Sequence, residues 1–160
     1  MSTFAAPPAT TILTPADPGW DDARKAGNPA VDQQPAAIAL PRSADDVVAA
    51  VDFARLHGLR VAAQGTGRGA VPLGPLADTV LIKTQAMRQL SIDPDARIAR
   101  AEAGVIWRQV AGAAARHGLA APAGSSPDVG VVGYTLGGGM SWLGRAYGLS
   151  ATTAARHKPR

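Results

Sequence analysis

Two glycine-rich stretches constrain this chain more than anything else in it. The first is Gln64-Gly65-Thr66-Gly67-Arg68-Gly69-Ala70; the second runs from Gly124-Ser125-Ser126-Pro127-Asp128-Val129-Gly130 through Val131-Val132-Gly133-Tyr134-Thr135-Leu136 to Gly137-Gly138-Gly139. Each comes after a helix-like stretch and a short apolar run. Glycine lacks a Cβ, so such stretches tolerate positive φ and let backbone approach a ligand closely. Successive amides in such turns make concave anion sites. Two of them in one chain suit a ligand with a long polar spine, such as a dinucleotide.

The 160 residues suffice for one domain with a core, and an apolar fraction of 46% is ordinary. The absence of cysteine excludes disulfides, thiolate metal sites and a cysteine nucleophile. No apolar run is long enough to span a bilayer, and the N-terminus lacks the basic-then-apolar order of a secretory signal. A cytoplasmic protein that binds no membrane is therefore expected. The net charge of +4 raises the question of nucleic acid. Arg156, Lys158 and Arg160 carry three of those charges, and the remaining basic residues are dispersed without interleaved aromatics. A solvated basic tail is the simpler reading, and no nucleic-acid partner is expected.

Residues 1–34, rich in proline, alanine and threonine, read as a mobile lead-in, with a short helix around Trp20. Ala36–Leu40 is a buried strand ended by Pro41. Ser43 caps a helix, with Asp46 completing a capping-box variant. Val47, Val48, Val51, Ala54 and Arg55 recur at helical spacing, and Gly58 is placed to end the helix. Residues 59–63 and 79–83 are strands. Leu90–Asp93 and Arg97–Ala103 alternate in polarity around Pro94-Asp95, which predicts a hairpin. A helix over 105–117 is expected to bury Trp107, Val110, Ala111 and Ala114, with Gly118 ending it as Gly58 ends its predecessor. His57 and His117 stand just before those glycines, where an imidazole suits a helix C-terminus. Ala54–Leu59 and Ala115–Leu119 are a weak echo, best read as two ordinary helix–glycine–strand connections.

The first loop lacks the Gly-x-Gly-x-x-Gly spacing of the Rossmann fingerprint, and Pro72 and Pro75 forbid an α-helix directly after it. It contains no Gly-Lys-Ser/Thr, so it is no Walker loop. A backbone nest fits it better. No histidine–carboxylate cluster has metal-ligand spacing, and Ser125 and Ser126 have no base near them in sequence.

Together, Pro41-Arg42-Ser43-Ala44-Asp45-Asp46-Val47, the first glycine loop, Ala103–Trp107, Pro127–Gly133 with Gly137–Gly139, and Trp142–Leu149 resemble one family. It is the FAD-binding domain of the vanillyl-alcohol oxidase and p-cresol methylhydroxylase superfamily, in its berberine-bridge and sugar-oxidase-like branch. The match runs from Gln34 to about Leu149. The resemblance implies an α+β, two-subdomain FAD-binding fold with the flavin lying between the subdomains, the first complete and the second only begun. Residues 35–149 would be its N-terminal portion and 150–160 a basic, disordered tail. It implies that Gly65, Thr66, Gly67, Arg68, Gly69 and Ala70 wrap the FAD pyrophosphate. Ser126, Pro127, Val129, Gly130, Gly133 and Tyr134 would line the pyrophosphate, ribityl and ring region. Gly137 and Gly138 would let backbone pass close to the cofactor.

Two departures bear on attachment. Many members carry a flavin-linked histidine where Arg68 stands, and some a cysteine link at the position of Ser126. Neither arginine nor serine makes those bonds, so FAD is expected to be held non-covalently, and Arg68 could instead pair with a phosphate through its planar fork. A third departure is length. Members continue for several hundred residues into a substrate domain, whereas the stretch after Leu149 has neither strand alternation nor an apolar helical stripe. It reads as a change of register, such as a truncated or frameshifted frame. Trp107 is expected in the core, Trp142 and Tyr147 beneath the second loop, and Tyr134 near the flavin. The leading reading is the FAD-binding portion of a flavin-dependent oxidoreductase acting on alcohol or amine carbons, inactive alone, its substrate bound only with a further C-terminal region. A partner-completed nucleotide-binding module and a non-functional fragment stay open as alternatives.

Overall fold

The computed structural model describes residues 10–154. His157 and the basic residues Arg156, Lys158 and Arg160 lie outside them. The chain divides into two units, Met1–Met87 and Arg88–Arg160.

The first unit is built on a four-stranded sheet in the order β1-β2-β4-β3. Its strands are β1 (Thr11–Leu13), β2 (Ala37–Leu40), β3 (Arg60–Gln64) and β4 (Thr79–Lys83). β1 runs antiparallel to β2, while β2 and β3 each run parallel to the central β4. Central parallel strands are covered on both faces and so read as continuous apolar runs. β4 does so: all five of its residues are buried.

Side chains alternate across a strand, so each strand feeds two cores. On one face Ala37, Ala39, Val80 and Ile82 meet Ala50, Phe53 and Ala54. On the other, Ile38 and Leu81 meet Trp20 and Leu76. Ala50, Phe53 and Ala54 come from α2 (Ala44–Leu56), which begins where the sequence requires. Ser43 Oγ accepts from the Asp46 amide at 3.2 Å, and Asp46 Oδ2 accepts from the Ser43 and Arg42 amides at 3.1 and 2.8 Å. The helix ends in a left-handed Gly58 at φ 63°. The Leu59 amide returns to the Ala54 carbonyl and the Gly58 amide to Arg55, which satisfies carbonyls a helix end would leave open.

The buried face of α2 includes Ala54 and Val47 as expected but departs from the expectation at Val48 and Val51. Val48 is 60% exposed and Val51 42%, whereas Ala50, Phe53 and Ala54 are buried. Helical spacing draws the stripe through the β-branched residues, but the sheet admits small alanines beside one large ring. The lead-in is also more ordered than expected. Thr11–Leu13 pairs with β2, α1 (Trp20–Ala23) buries Trp20, and Pro35 is fully buried.

The second unit opens with a hairpin of β5 (Leu90–Asp93) and β6 (Ile98–Ala101), paired antiparallel. Then come α3 (Trp107–Ala115), α4 (Val131–Leu136), α5 (Gly144–Tyr147) and a 3-10 turn at Ser150–Thr153. Its core is Val105, Trp107 and Val110, with Leu90, Ala101, Val129, Val131 and Tyr134 packed around it. Ala114 is buried as expected but Ala111 is exposed. Gly118, at φ 67°, ends α3 by the same bonds as Gly58: Leu119 to Ala114 and Gly118 to Ala115. The sequence echo is thus a repeated cap.

Replacing Phe53 with alanine is expected to cost about 3–5 kcal/mol, as for a buried ring whose cavity cannot collapse. Val48→Ala on the exposed side of the same helix should stay within about 0.5 kcal/mol of wild type. Urea unfolding followed by far-UV circular dichroism measures both.

Candidate functional site

The first glycine loop leaves the C-terminal end of β3, and in open parallel sheets ligands gather beyond that end of the strands. Gly67 is buried with φ 74°, while Arg68 and Gly69 are exposed and Ala70 is buried. The loop runs into one 3-10 turn, Val71–Leu73, carrying Pro72, and not into an α-helix. The proline argument holds: no α-helix begins directly after this loop.

One bond fixes the loop's polarity. The Gly27 amide donates to the Thr66 carbonyl at 3.0 Å. A trans peptide is planar, so its N–H points opposite to its C=O, and no described peptide is cis. With the Thr66 oxygen turned toward Gly27, the Gly67 amide is turned away from it. Among the described residues, the amides of Thr66, Gly67 and Gly69 donate to no carbonyl. The Gly67 amide, in a buried residue, and the Gly69 amide, in an exposed one, are thus left without a carbonyl acceptor. From Gln64 to Leu76 the sequence holds no carboxylate and one arginine, so nothing there repels an anion.

The second loop obeys the same rule by other means. The first amides of a helix have no partner within it. In α3 the Trp107 amide donates to the Val129 carbonyl at 3.0 Å and the Arg108 amide to Pro127 at 2.7 Å. The Val131 amide returns to Val105 at 3.0 Å. The loop's carbonyls cap the helix, and the Asp128 and Gly130 amides, in those same peptide planes, are turned away from it. Among the described residues, the Ser126, Val129 and Gly130 amides donate to no carbonyl. The Ser126 hydroxyl is committed to Asp128 Oδ1 at 2.8 Å. Gly133 lies within α4, and neither it nor Gly138 has an atom within 4 Å of where a Cβ would stand. Gly138 adopts φ 101°, which explains its glycine by conformation. At Gly137 a Cβ would stand 3.2 Å from the Gly133 carbonyl.

Tyr134 is half-buried. Its ring sits edge-on to Trp107, centroids 5.4 Å apart, and its hydroxyl is buried without a partner. A Cβ on Gly124 would stand 2.9 Å from this ring, and one on Gly139 2.7 Å. The two glycines therefore make room for the tyrosine, which packs half-buried against the core of the second unit. Trp142 and Tyr147 do not pack beneath the loop: they are 79% and 69% exposed. Ser150, expected in a disordered tail, is instead buried. Its amide donates to Gly139 at 2.9 Å, the Ala151 amide to Gly138 at 3.1 Å, and its hydroxyl to the Pro122 carbonyl.

Sequence reasoning missed a set of residues behind the first loop. Gln33 and Gln64 are 3% and 5% exposed, and the Gln33 side chain donates to Gln64 Oε1 at 2.9 Å. Lys83, at the end of β4, donates to the Ala23 and Lys25 carbonyls at 2.6 and 2.7 Å. Burial holds its ammonium below the usual lysine range. The one signal in sequence was the apolar run Thr79–Ile82 ending in a lysine. No described cluster of His, Asp or Glu could hold a metal, and no described helix is long and apolar enough to cross a membrane.

Loop amides left without carbonyl acceptors, with Arg68 in the first loop, suit a phosphate-bearing ligand, and the comparisons with known proteins decide which. The family model described as an FAD binding domain matches residues 35–156. The chain belongs to that family. It is 31% identical over 140 residues to the FAD-linked oxidoreductase YvdP of Bacillus subtilis, covering 86% of this chain and 31% of the relative. It is 34% identical over 135 residues to the glucooligosaccharide oxidase of Sarocladium strictum, covering 82% and 27%. Among solved structures it resembles 6-hydroxy-D-nicotine oxidase from Arthrobacter nicotinovorans, with a TM-score of 0.83 at 29% identity over 94% of this chain and 33% of that one. Berberine bridge enzyme-like proteins are relatives as well. The chain spans about a third of the length of these relatives. FAD is the cofactor of the family, and within each unit taken by itself the loop amides left without a carbonyl acceptor suit a phosphate-bearing ligand.

Gly139→Ala is expected to destabilise the second unit by at least about 1 kcal/mol, since it adds a clash with Tyr134 and Ser150 to a strained φ. Tyr134→Phe should leave stability unchanged or raise it slightly, because the hydroxyl it removes is buried and unpaired. Thermal unfolding of the two variants beside wild type checks both.

Proposed function

We propose that this chain is the FAD-binding part of a flavin-dependent oxidoreductase that acts on an alcohol or amine carbon and holds its FAD without a covalent link. The amides at Gly67 and Gly130, left without a carbonyl acceptor and oriented by the bonds to the carbonyls just before them, carry the reading. The Thr66–Ala70 amides would hold the pyrophosphate, joined by the Arg68 guanidinium. Ser126, Pro127, Val129, Gly130 and Gly133 would border the ribityl chain and ring, with backbone at Gly137 and Gly138 close by. Bound FAD supplies a two-electron acceptor. These residues bind and orient it; none of them moves a proton. Tyr134, half-buried against Trp107, would stand beside them near the flavin ring. The names of the relatives, an oligosaccharide oxidase and a hydroxynicotine oxidase, support a carbon–oxygen or carbon–nitrogen bond as the one oxidised. Neither Arg68 nor Ser126 can form a histidyl or cysteinyl link, which supports non-covalent binding.

A visible spectrum of the chain loaded with FAD, taken before and after acid precipitation, tests the attachment. The flavin band is expected in the supernatant. A band that stays with the pellet would overturn non-covalent binding, and folded protein that takes up no FAD would overturn the assignment itself. Arg68→Ala, at an exposed position, should weaken FAD by about tenfold, the loss of one charged hydrogen bond of about 1.5 kcal/mol. Its far-UV spectrum should match wild type.

A further inference from the structure

We propose that the segment from Trp20 to Gln33 is a positioning strap that sets the direction of the first glycine loop's amides toward the diphosphate of bound FAD. This rests on the FAD reading above and assigns residues that lie outside the glycine loops.

The strap meets the loop at one point. The Gly27 amide holds the Thr66 carbonyl, and a Cβ on Gly27 would collide with that carbonyl and stand 3.7 Å from the Arg68 nitrogen. Gly27 is not among the glycines with positive φ. Its backbone would accept any residue, so the contact alone demands glycine. Behind this point the strap is tied to the C-terminal ends of two strands. Lys83 of β4 grips the Ala23 and Lys25 carbonyls. Arg24 pairs with Asp32 and donates to the Gln33 carbonyl at 3.2 Å. Gln33 reaches Gln64, the last residue of β3.

Gln64 closes the circuit. Its Nε2 lies so near Gly67 that a Cβ there would stand 2.9 Å from it. One amide atom of each glutamine, Gln33 Oε1 and Gln64 Nε2, is buried without a partner. Such atoms cost stability, and an apolar pair of the same shape would avoid that cost. A buried polar contact kept at such a cost fits a role in direction and not in adhesion. The strap, Gln33 and Gln64 together hold the peptide between Thr66 and Gly67 in one orientation.

The test uses the full chain, with affinities for FAD and for ADP measured by fluorescence quenching and calorimetry, and stability by urea unfolding without ligand. Gly27→Ala is expected to weaken FAD and ADP in parallel, at least tenfold, with an unchanged far-UV spectrum. The double variant Gln33→Met with Gln64→Met separates positioning from stability and decides the matter should Gly27→Ala fail to fold. It is expected to unfold at or above the wild-type urea midpoint and still to bind FAD at least fivefold more weakly. Wild-type affinity in the double variant would overturn the strap. So would a loss in Gly27→Ala no larger than its unfolded fraction explains. A wild-type chain that binds neither FAD nor ADP would overturn the FAD reading and the strap with it.

Discussion

Everything functional in this chain depends on where a few loop carbonyls point. A peptide plane has two polar ends, and fixing one fixes the other. The Thr66 oxygen is held by the Gly27 amide, and the Pro127 and Val129 oxygens by the first turn of α3. Each bond is worth only about 1 kcal/mol net. Its larger effect is directional: the acceptors are consumed inside the protein, and the donors in the same peptide planes are turned the opposite way. An untethered glycine-rich loop would sample both orientations and would spend binding energy choosing one. Here folding makes the choice beforehand.

The rest of each unit holds those bonds in place. In the first, the two-faced sheet with β4 at its centre fixes the ends of β3 and β4, from which Gln64 and Lys83 reach the strap. In the second, the hairpin and α3 form a small core around Trp107, and α3 can be capped by the loop only because Val105 anchors its start. Gly124 and Gly139 give up side chains so that the Tyr134 ring can fill that core. The two units thus reach the same arrangement from unrelated local structures, one through a distant strap and the other through a helix N-terminus.

Much of the fold was legible in the sequence because its signals are local. Ser43 and Asp46 mark a helix start, Gly58 and Gly118 mark two ends, and the strands of both sheets stand within a residue or two of their apolar runs. The loops themselves were legible as glycine clusters, and the order of several motifs pointed to their family. What failed was non-local. Residues 19–27 read as one short helix, but the helix stops at Ala23, and nothing near Gly27 in sequence names Thr66 as its partner. Val48 and Val51 satisfied helical spacing as well as Ala50 and Phe53 do, and only the shape of the sheet decides between them.

The most direct test of amides oriented in this way is a nitrogen–proton correlation spectrum of the labelled chain, titrated with FAD. The account requires the amide resonances of Gly67, Gly69 and Gly130 to move the most and to gain protection from solvent exchange. FAD bound tightly while those three amides stay unshifted and exchange as before would contradict it.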